Sequence, residues 1–205
     1  MITLIVAVTA YALGCFSTAY YLFRFSTGAD IRTQGSGNAG AKNIGRQLGA
    51  AAFIVTFLCD VIKGMTAVWL ARYLELGTAG ITLAMLAVVI GHIWPAQLGF
   101  RGGKGAATVL GALIAFDYRL LMPSILLSGV ALSLSRNFTM SGLLAIALTP
   151  IVAMIFRHTA LELIGLWCLA GITIFAHRNN LRKFFANTSS HAADIRESLA
   201  ERRQR

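Results

Sequence analysis

In a chain that is otherwise strongly apolar, polar and glycine-rich sequence is gathered into three stretches. The first, TQGSGNAGAKNIGRQLG from Thr33 to Gly49, places five glycines among Ser36, Asn38, Asn43, Lys42 and Arg46. Glycines let backbone amides turn toward an anion, and a helix that begins there adds its positive end, so the composition suits phosphate. Gly35, Gly37 and Gly40 also spell GxGxxG, but a dinucleotide site needs a preceding strand and a βαβ unit. Here an apolar, membrane-length segment precedes the glycines instead. The second stretch, GHIWPAQLGFRGGKGAAT from Gly91 to Thr108, contains Gly102, Gly103, Lys104 and Gly105. It is not a nucleotide P-loop: three residues separate Gly99 from Gly103, and Gly105 stands where a magnesium-binding Ser or Thr belongs. What remains is a second cationic cradle, with His92 at a span end near Trp94, a position open to a packing role or a binding one. The third stretch is HRNNLRKFF, from His177 to Phe185. His177 and Asn180, three apart, are expected to share a helix face. Arg182 and Lys183 read as the positive cluster that follows a last span.

These residues need elements to hold them, and the composition says which. The chain has 205 residues, 57% hydrophobic and 13% charged, with a mean hydropathy of +0.69. A soluble domain carries about 25% charged residues, so an all-α, polytopic integral membrane protein is expected. Seven apolar segments, at about 1–23, 49–72, 78–98, 105–117, 119–135, 140–156 and 159–176, predict about seven transmembrane helices. The fourth is short, and the third runs into Pro95. The first segment is uncharged until Arg24 and so reads as a retained helix rather than a secretory signal. With the N-terminus outside, fourteen of the eighteen Lys and Arg residues fall on the cytoplasmic side, and only Arg72, Arg119 and Arg157 fall outside. The C-terminus is then cytoplasmic, and all three polar stretches open to one side. Residues 1–185 form one transmembrane domain, and 186–205 form a short polar cytoplasmic tail. Asp60 and Lys63, at i, i+3 inside the second span, are expected to pair, with Lys63 able to lean toward the site. His158 and Glu162 read as boundary residues. Cys15, Cys59 and Cys168 are read as packing residues, and the sequons at Asn137 and Asn187 lie on the wrong side for glycosylation.

A polyanionic ligand beside apolar walls points to lipid chemistry on phosphates. No aspartate cluster suggests a metal-dependent alcohol transferase. No histidine is followed four residues later by aspartate, and no GxSxG elbow is present. A transporter or channel for organic phosphates remains the rival, although no internal repeat is visible. Nucleic acid is not an expected partner, because the positive charge sits in membrane-proximal loops.

The chain resembles the bacterial acyl-phosphate:glycerol-3-phosphate acyltransferases of the PlsY type. The resemblance lies in GSGNAGAKNIGR at Gly35–Arg46, DVIKG at Asp60–Gly64, GHIWPAQLGFRGGKGAAT at Gly91–Thr108 and HRNN at His177–Asn180. It implies a seven-span fold in the bacterial inner membrane with a cytoplasm-facing site. It also implies transfer of an acyl group from acyl phosphate to the 1-hydroxyl of glycerol 3-phosphate, the first step of phospholipid synthesis, with membrane lipid as the surroundings and product class. By the same resemblance Ser36, Gly37 and Asn38 hold a phosphate, Arg46 and Lys104 bind substrate phosphates, and His177 and Asn180 orient glycerol 3-phosphate. Ser36, Lys104, His177 and Asn180 are the expected catalytic set. Gly37, Asn38, Arg46, His92, Gly102, Gly103 and Gly105 are the expected binding set. Neither cofactor nor metal is expected. The chain departs from the family pattern at Lys42, where threonine is usual, at Gly142, where serine is usual, and at Ala186–Ser190, which lacks a Gly-x-Glu.

Overall fold

Backbone groups in hydrocarbon must be satisfied within their own segment, which makes helices of the apolar stretches. This computed structural model describes residues 1–186. The helices among the described residues are α1 (Ile2–Cys15), α2 (Thr18–Thr27), α3 (Ala41–Leu48), α4 (Ala50–Tyr73), α5 (Gly77–Ile93), α6 (Ala106–Phe116), α7 (Leu121–Ser135), α8 (Phe138–Ile155) and α9 (Ala160–Ala176). A tenth, α10 (Arg178–Ala186), follows α9 after a bend of 61°. The expected tail, apart from Ala186, lies outside the described residues.

Each of the seven apolar segments is helical, but they differ in reach. Five stretches are long and apolar enough to cross a bilayer: Ile2–Thr27, Ala50–Tyr73, Gly77–Leu98, Tyr118–Ser135 and Phe138–Ile155; α9 with α10 makes a sixth when the bent pair is taken as one span. At 11 residues, α6 rises roughly 16 Å, about half of a hydrocarbon core. It is a half-length helix packed against α4. Gly64 on α4 and Gly111 on α6 set that approach, since a Cβ on either would overlap the partner's backbone at Thr108 or Val61. Gly14 on α1 and Gly91 on α5 pack in the same way against Val88 and Tyr11. Small residues at such crossings let helices approach where no hydrophobic force drives them together in lipid. Val68, Met85, Val88, Val89, Val109 and Leu166, all buried, fill the space between the crossings.

The first span is not one unbroken helix, as the sequence had suggested. Ser17 caps α2 by accepting from the Tyr20 amide at 3.4 Å, and the ladder opens just before it. The freed carbonyls are taken by side chains from other helices. Lys63 Nζ donates to Gly14 O at 3.2 Å and to Phe16 O at 2.8 Å, and Gln97 Nε2 donates to Cys15 O at 2.5 Å. At the end of the bundle away from the polar loops, His158 stands 3.1 Å from Asp117 Oδ2 and 3.2 Å from Glu162 Oε2. The boundary histidine thus ties the α6–α7 connection to the α8–α9 turn.

Candidate active site

The first loop is shaped by one buried amide. Asn43 sits in the first turn of α3 at 1% exposure, where its Oδ1 accepts from the Ser36 amide at 3.0 Å. Its Nδ2 donates to the carbonyls of Gln34 at 3.0 Å and Ile31 at 3.4 Å. Gly35 and Gly37 take left-handed backbone with φ of 56° and 70°, and a Cβ at Gly35 would strike the Asn43 side chain. Asn43 is therefore the scaffold of the loop, and its donors, read from sequence as available to a ligand, are spent inside it. Arg32 then joins this loop to the second: it pairs with Asp30 at 2.7 Å and donates to Leu98 O at 2.5 Å.

The second loop folds back on the end of α5. The amides of Gly102 and Gly103 donate to Ile93 O at 3.1 Å and His92 O at 3.0 Å. The Ser36 and Gly37 amides are committed too, the latter to Gln34 O at 3.0 Å. These four amides were expected to cradle an anion, and the structure spends them on loop shape instead. Anion recognition is left to side chains and to the helix starts at Ala41 on α3 and at Ala106 and Ala107 on α6, which line the main cavity. Gly105, at φ 86°, turns the chain into α6 and swings Lys104 into the cavity. There Lys104 Nζ donates to Asn180 Oδ1 at 2.6 Å. Burial holds the Lys104 ammonium below the usual lysine range, and the nearby charges of Lys183 and Lys42 push the same way.

His177 and Asn180 do not share one helix face, as their spacing had suggested, because the helix turns through 61° at His177. Both still line the cavity. His177 is 5% exposed, and its Nδ1 lies 2.9 Å from Thr173 O. A carbonyl can only accept, so Nδ1 carries the proton and Nε2 presents a lone pair. Burial first, and Lys104 after it, lower the affinity of the ring for a second proton, while the Thr173 carbonyl opposes them.

All eleven residues singled out by sequence line one of two adjoining cavities. The larger, about 760 Å³, is lined by Ser36, Asn38, Arg46, His92, Lys104, Gly105, His177 and Asn180. The smaller, about 620 Å³, adds Gly37, Gly102 and Gly103 and shares Ser36, Asn38, Lys104 and Asn180 with the first. The larger cavity has an apolar part, lined by Phe53 and Phe57 of α4 and by Phe138, Leu143 and Ile146 of α8. The i, i+4 spacing of the two phenylalanines was a usable signal for this wall. Lys183, assigned from sequence to topology alone, lines both cavities. Arg182 lines the smaller one. Lys42 reaches across to Thr139 Oγ1 at 3.2 Å, joining α3 to the start of α8 beside Gly142. Asp60 and Lys63 pair at 2.8 Å, and Lys63 is held by the α1 break rather than leaning into the cavity.

Membrane-length helices that close around a cationic pocket with an apolar side wall define a class: integral membrane proteins that handle a phosphorylated, partly apolar ligand. The chain belongs to the glycerol-3-phosphate acyltransferase family, which it matches over residues 4–187. It is 41% identical to glycerol-3-phosphate acyltransferase 1 of Desulfitobacterium hafniense (strain Y51), covering 92% of this chain and 94% of that one. It is 38% identical to the glycerol-3-phosphate acyltransferase of Clostridioides difficile (strain 630), covering 95% and 97%. The fold superposes on crystal structures of PlsY (YgiH), an integral membrane glycerol 3-phosphate acyltransferase. The glycerol 3-phosphate form matches with a TM-score of 0.85 at 26% identity, over 91% of this chain and 94% of that one. The lysophosphatidic acid form matches at 0.83 and 25%, over 91% and 93%.

Proposed function

We propose that this protein transfers a fatty acyl group from acyl phosphate to the 1-hydroxyl of glycerol 3-phosphate, releasing lysophosphatidic acid and inorganic phosphate. The reading is supported by family membership and rests on one observation above the rest. Lys104 and Asn180, hydrogen-bonded to each other, stand in both cavities at once, with His177 lining the larger. An acyl phosphate fits the larger cavity, with its chain along Phe53, Phe57, Leu143 and Ile146 and its phosphate toward Ser36, Asn38, Arg46 and Lys104. Glycerol 3-phosphate fits the smaller, more polar cavity beside Arg182 and Lys183. Lys104, between them, faces the negative charge that grows on the carbonyl oxygen and on the departing phosphate.

The mixed anhydride already has a good leaving group, so the protein's work is to bring the partners together. The hydroxyl oxygen bonds to the acyl carbon, the bond from that carbon to the phosphate oxygen breaks, and phosphate leaves with the electron pair. The Nε2 lone pair of His177 accepts the hydroxyl's hydrogen bond and aims its oxygen. The proton ends on that nitrogen or on the leaving phosphate, and by either route Nε2 must be bare beforehand. We place the site at the cytoplasmic face of a bacterial inner membrane, in a seven-span arrangement with the N-terminus outside. The distribution of Lys and Arg supports that placement.

The test uses purified protein in bilayer with palmitoyl phosphate and glycerol 3-phosphate, following phosphate and lysophosphatidic acid together. Equal yields that depend on glycerol 3-phosphate are expected, with both lost in Lys104→Ala and His177→Ala. Full turnover in both variants would overturn the site assignment.

A further inference from the structure

At the wall of the larger cavity, which Asp60 and His92 both line, is a buried cluster that the reaction above does not use. Lys63 and Asp60, one turn apart on α4, pair at 2.8 Å with side chains 8% and 3% exposed. His92, near the end of α5 and 5% exposed, brings its Nδ1 to 2.8 Å from Lys63 Nζ and 3.5 Å from Asp60 Oδ1. Lys63 also donates to the carbonyls of Gly14 and Phe16. Lys63 Nζ, which donates to these two carbonyls beside the Asp60 carboxylate, also supplies the donor of its short contact with His92. The close contact then requires Nδ1 of His92 to accept. The imidazole is neutral, and its single proton sits on Nε2.

That second nitrogen has no hydrogen-bond partner among the described residues. His92 lines the larger cavity, and its Nε2 lies so close to Gly103 that a Cβ there would overlap it, while the same Cβ would also touch the Ala39 carbonyl at 3.1 Å. It therefore stands against the Gly102–Gly105 loop, where the Ser36–Gly40 loop also approaches. The amides of Gly102 and Gly103 are already committed to carbonyls, so a donor is wanted there.

We propose that His92 Nε2–H donates to a phosphate oxygen of the acyl phosphate, and that Asp60 and Lys63 are positioning residues that fix His92 in the tautomer able to do so. The donor role deepens the function proposed above, whereas the tautomer is independent of it. The arrangement complements His177, whose Nδ1 is held by a carbonyl so that Nε2 accepts. Two histidines at one cavity are thus set in opposite senses, one to give a hydrogen bond and one to take it.

The experiment combines selective 15N-histidine spectra with kinetics. The wild-type protein at neutral pH should show His92 with a protonated Nε2 and a bare Nδ1, assigned by the loss of those signals in His92→Gln. Inorganic phosphate should shift the Nε2 signal. In kinetics, His92→Phe should raise KM for acyl phosphate roughly tenfold to a hundredfold, the range for a hydrogen bond to a charged group, with kcat little changed. His92→Gln, which keeps an N–H near the same point, should recover most of that loss. Asp60→Asn/Lys63→Met, with neither charge nor donor, should lose the fixed tautomer and raise KM. Asp60→Asn/Lys63→Gln, with a neutral donor to Nδ1, should keep both near wild type. If the methionine pair fails to fold, the glutamine pair and the two His92 variants still decide. A protonated Nδ1 in the wild type, no response to phosphate, or an unchanged KM in His92→Phe would overturn the proposal. Failure of the wild type to turn over acyl phosphate would overturn the proposed function and its donor, leaving the spectra to judge the tautomer.

Discussion

Lys104 is held as a cation against three influences, of which burial is the largest and Lys183 and Lys42 the next. A lysine whose affinity for its proton is lowered loses that proton at a lower pH than a free one. If Lys104 must be charged to meet the phosphates, kcat/KM falls on the alkaline side below the usual lysine range, and that profile reports the free enzyme. Lys183→Met and Lys42→Met each remove a repelling charge and should move the alkaline limb upward in pH. A limb that stays put or moves down in both would show that another group sets it. Lys104 was legible in sequence because glycines flank it on both sides and their spacing fits no nucleotide loop. Lys183 was not, since a positive cluster after a last span looks the same until the turn at His177 brings it to the cavities. The commitment of the Ser36, Gly37, Gly102 and Gly103 amides was equally hidden. It depends on Asn43 and on the carbonyl end of α5, residues far apart in the spacing that suggested a cradle.

Among the elements, the α4–α6 crossing matters most for the site, because the half-length α6 carries Gly105 and the amides that follow it to the cavity. Gly64 and Gly111 let the two backbones meet. Gly64→Ala or Gly111→Ala forces them apart and should cost about 1–3 kcal/mol, as overpacking does. Read as thermal unfolding in detergent, that is a fall of roughly 2–12 °C, at about 2–4 °C per kcal/mol for a chain of this size. Gly129→Ala and Gly171→Ala are the controls, because a Cβ there meets nothing within 4 Å, and both should melt near wild type. Equal melting of all four would remove the close crossing as a source of stability. A second element-scale test concerns the break between α1 and α2. Gln97→Leu strands the Cys15 carbonyl and should cost about 1–3 kcal/mol by the same assay. Helicity at this scale was readable from uninterrupted apolar runs such as ITLAMLAVVIG. The break was not, because Phe16 and Ser17 look continuous with their neighbours, and the partners of the freed carbonyls come from α4 and from beyond α5.

At the scale of the molecule, polar and apolar surfaces are divided as a bilayer divides them. Ile54, Leu58, Ile62 and Trp69 of α4, Met122, Ile125 and Leu126 of α7, and Ile164 and Trp167 of α9 are exposed along the flanks. In water such a surface would drive aggregation, whereas in lipid it is simply the outer wall. The polar loops meet at one end, where Lys42 reaches Thr139 and Lys104 reaches Asn180. The other end closes on Asp117, His158 and Glu162. Composition alone showed that this was a membrane protein. Which loops share an end was read from counting spans, and that count depends on α6, because a helix that failed to cross would exchange the sides of everything after it. Orientation rests on charge, with Arg101, Lys104 and Arg178 on the polar-loop end and Arg72, Arg119 and Arg157 on the other. A direct check starts from a protein whose Cys15, Cys59 and Cys168 are replaced by alanine, with one new cysteine at Arg101→Cys or Arg157→Cys, both exposed positions. A membrane-impermeant maleimide should label Arg157→Cys in right-side-out vesicles and Arg101→Cys only in inverted ones. The reverse pattern would turn the molecule over and put the site on the face away from the cytoplasm, where the proposed acyl phosphate chemistry would have no access to substrates made inside the cell. Labelling of both from one side would mean that the number of crossings between them is even, and that α6, the half-length member of the three helices α6, α7 and α8 between these positions, does not span.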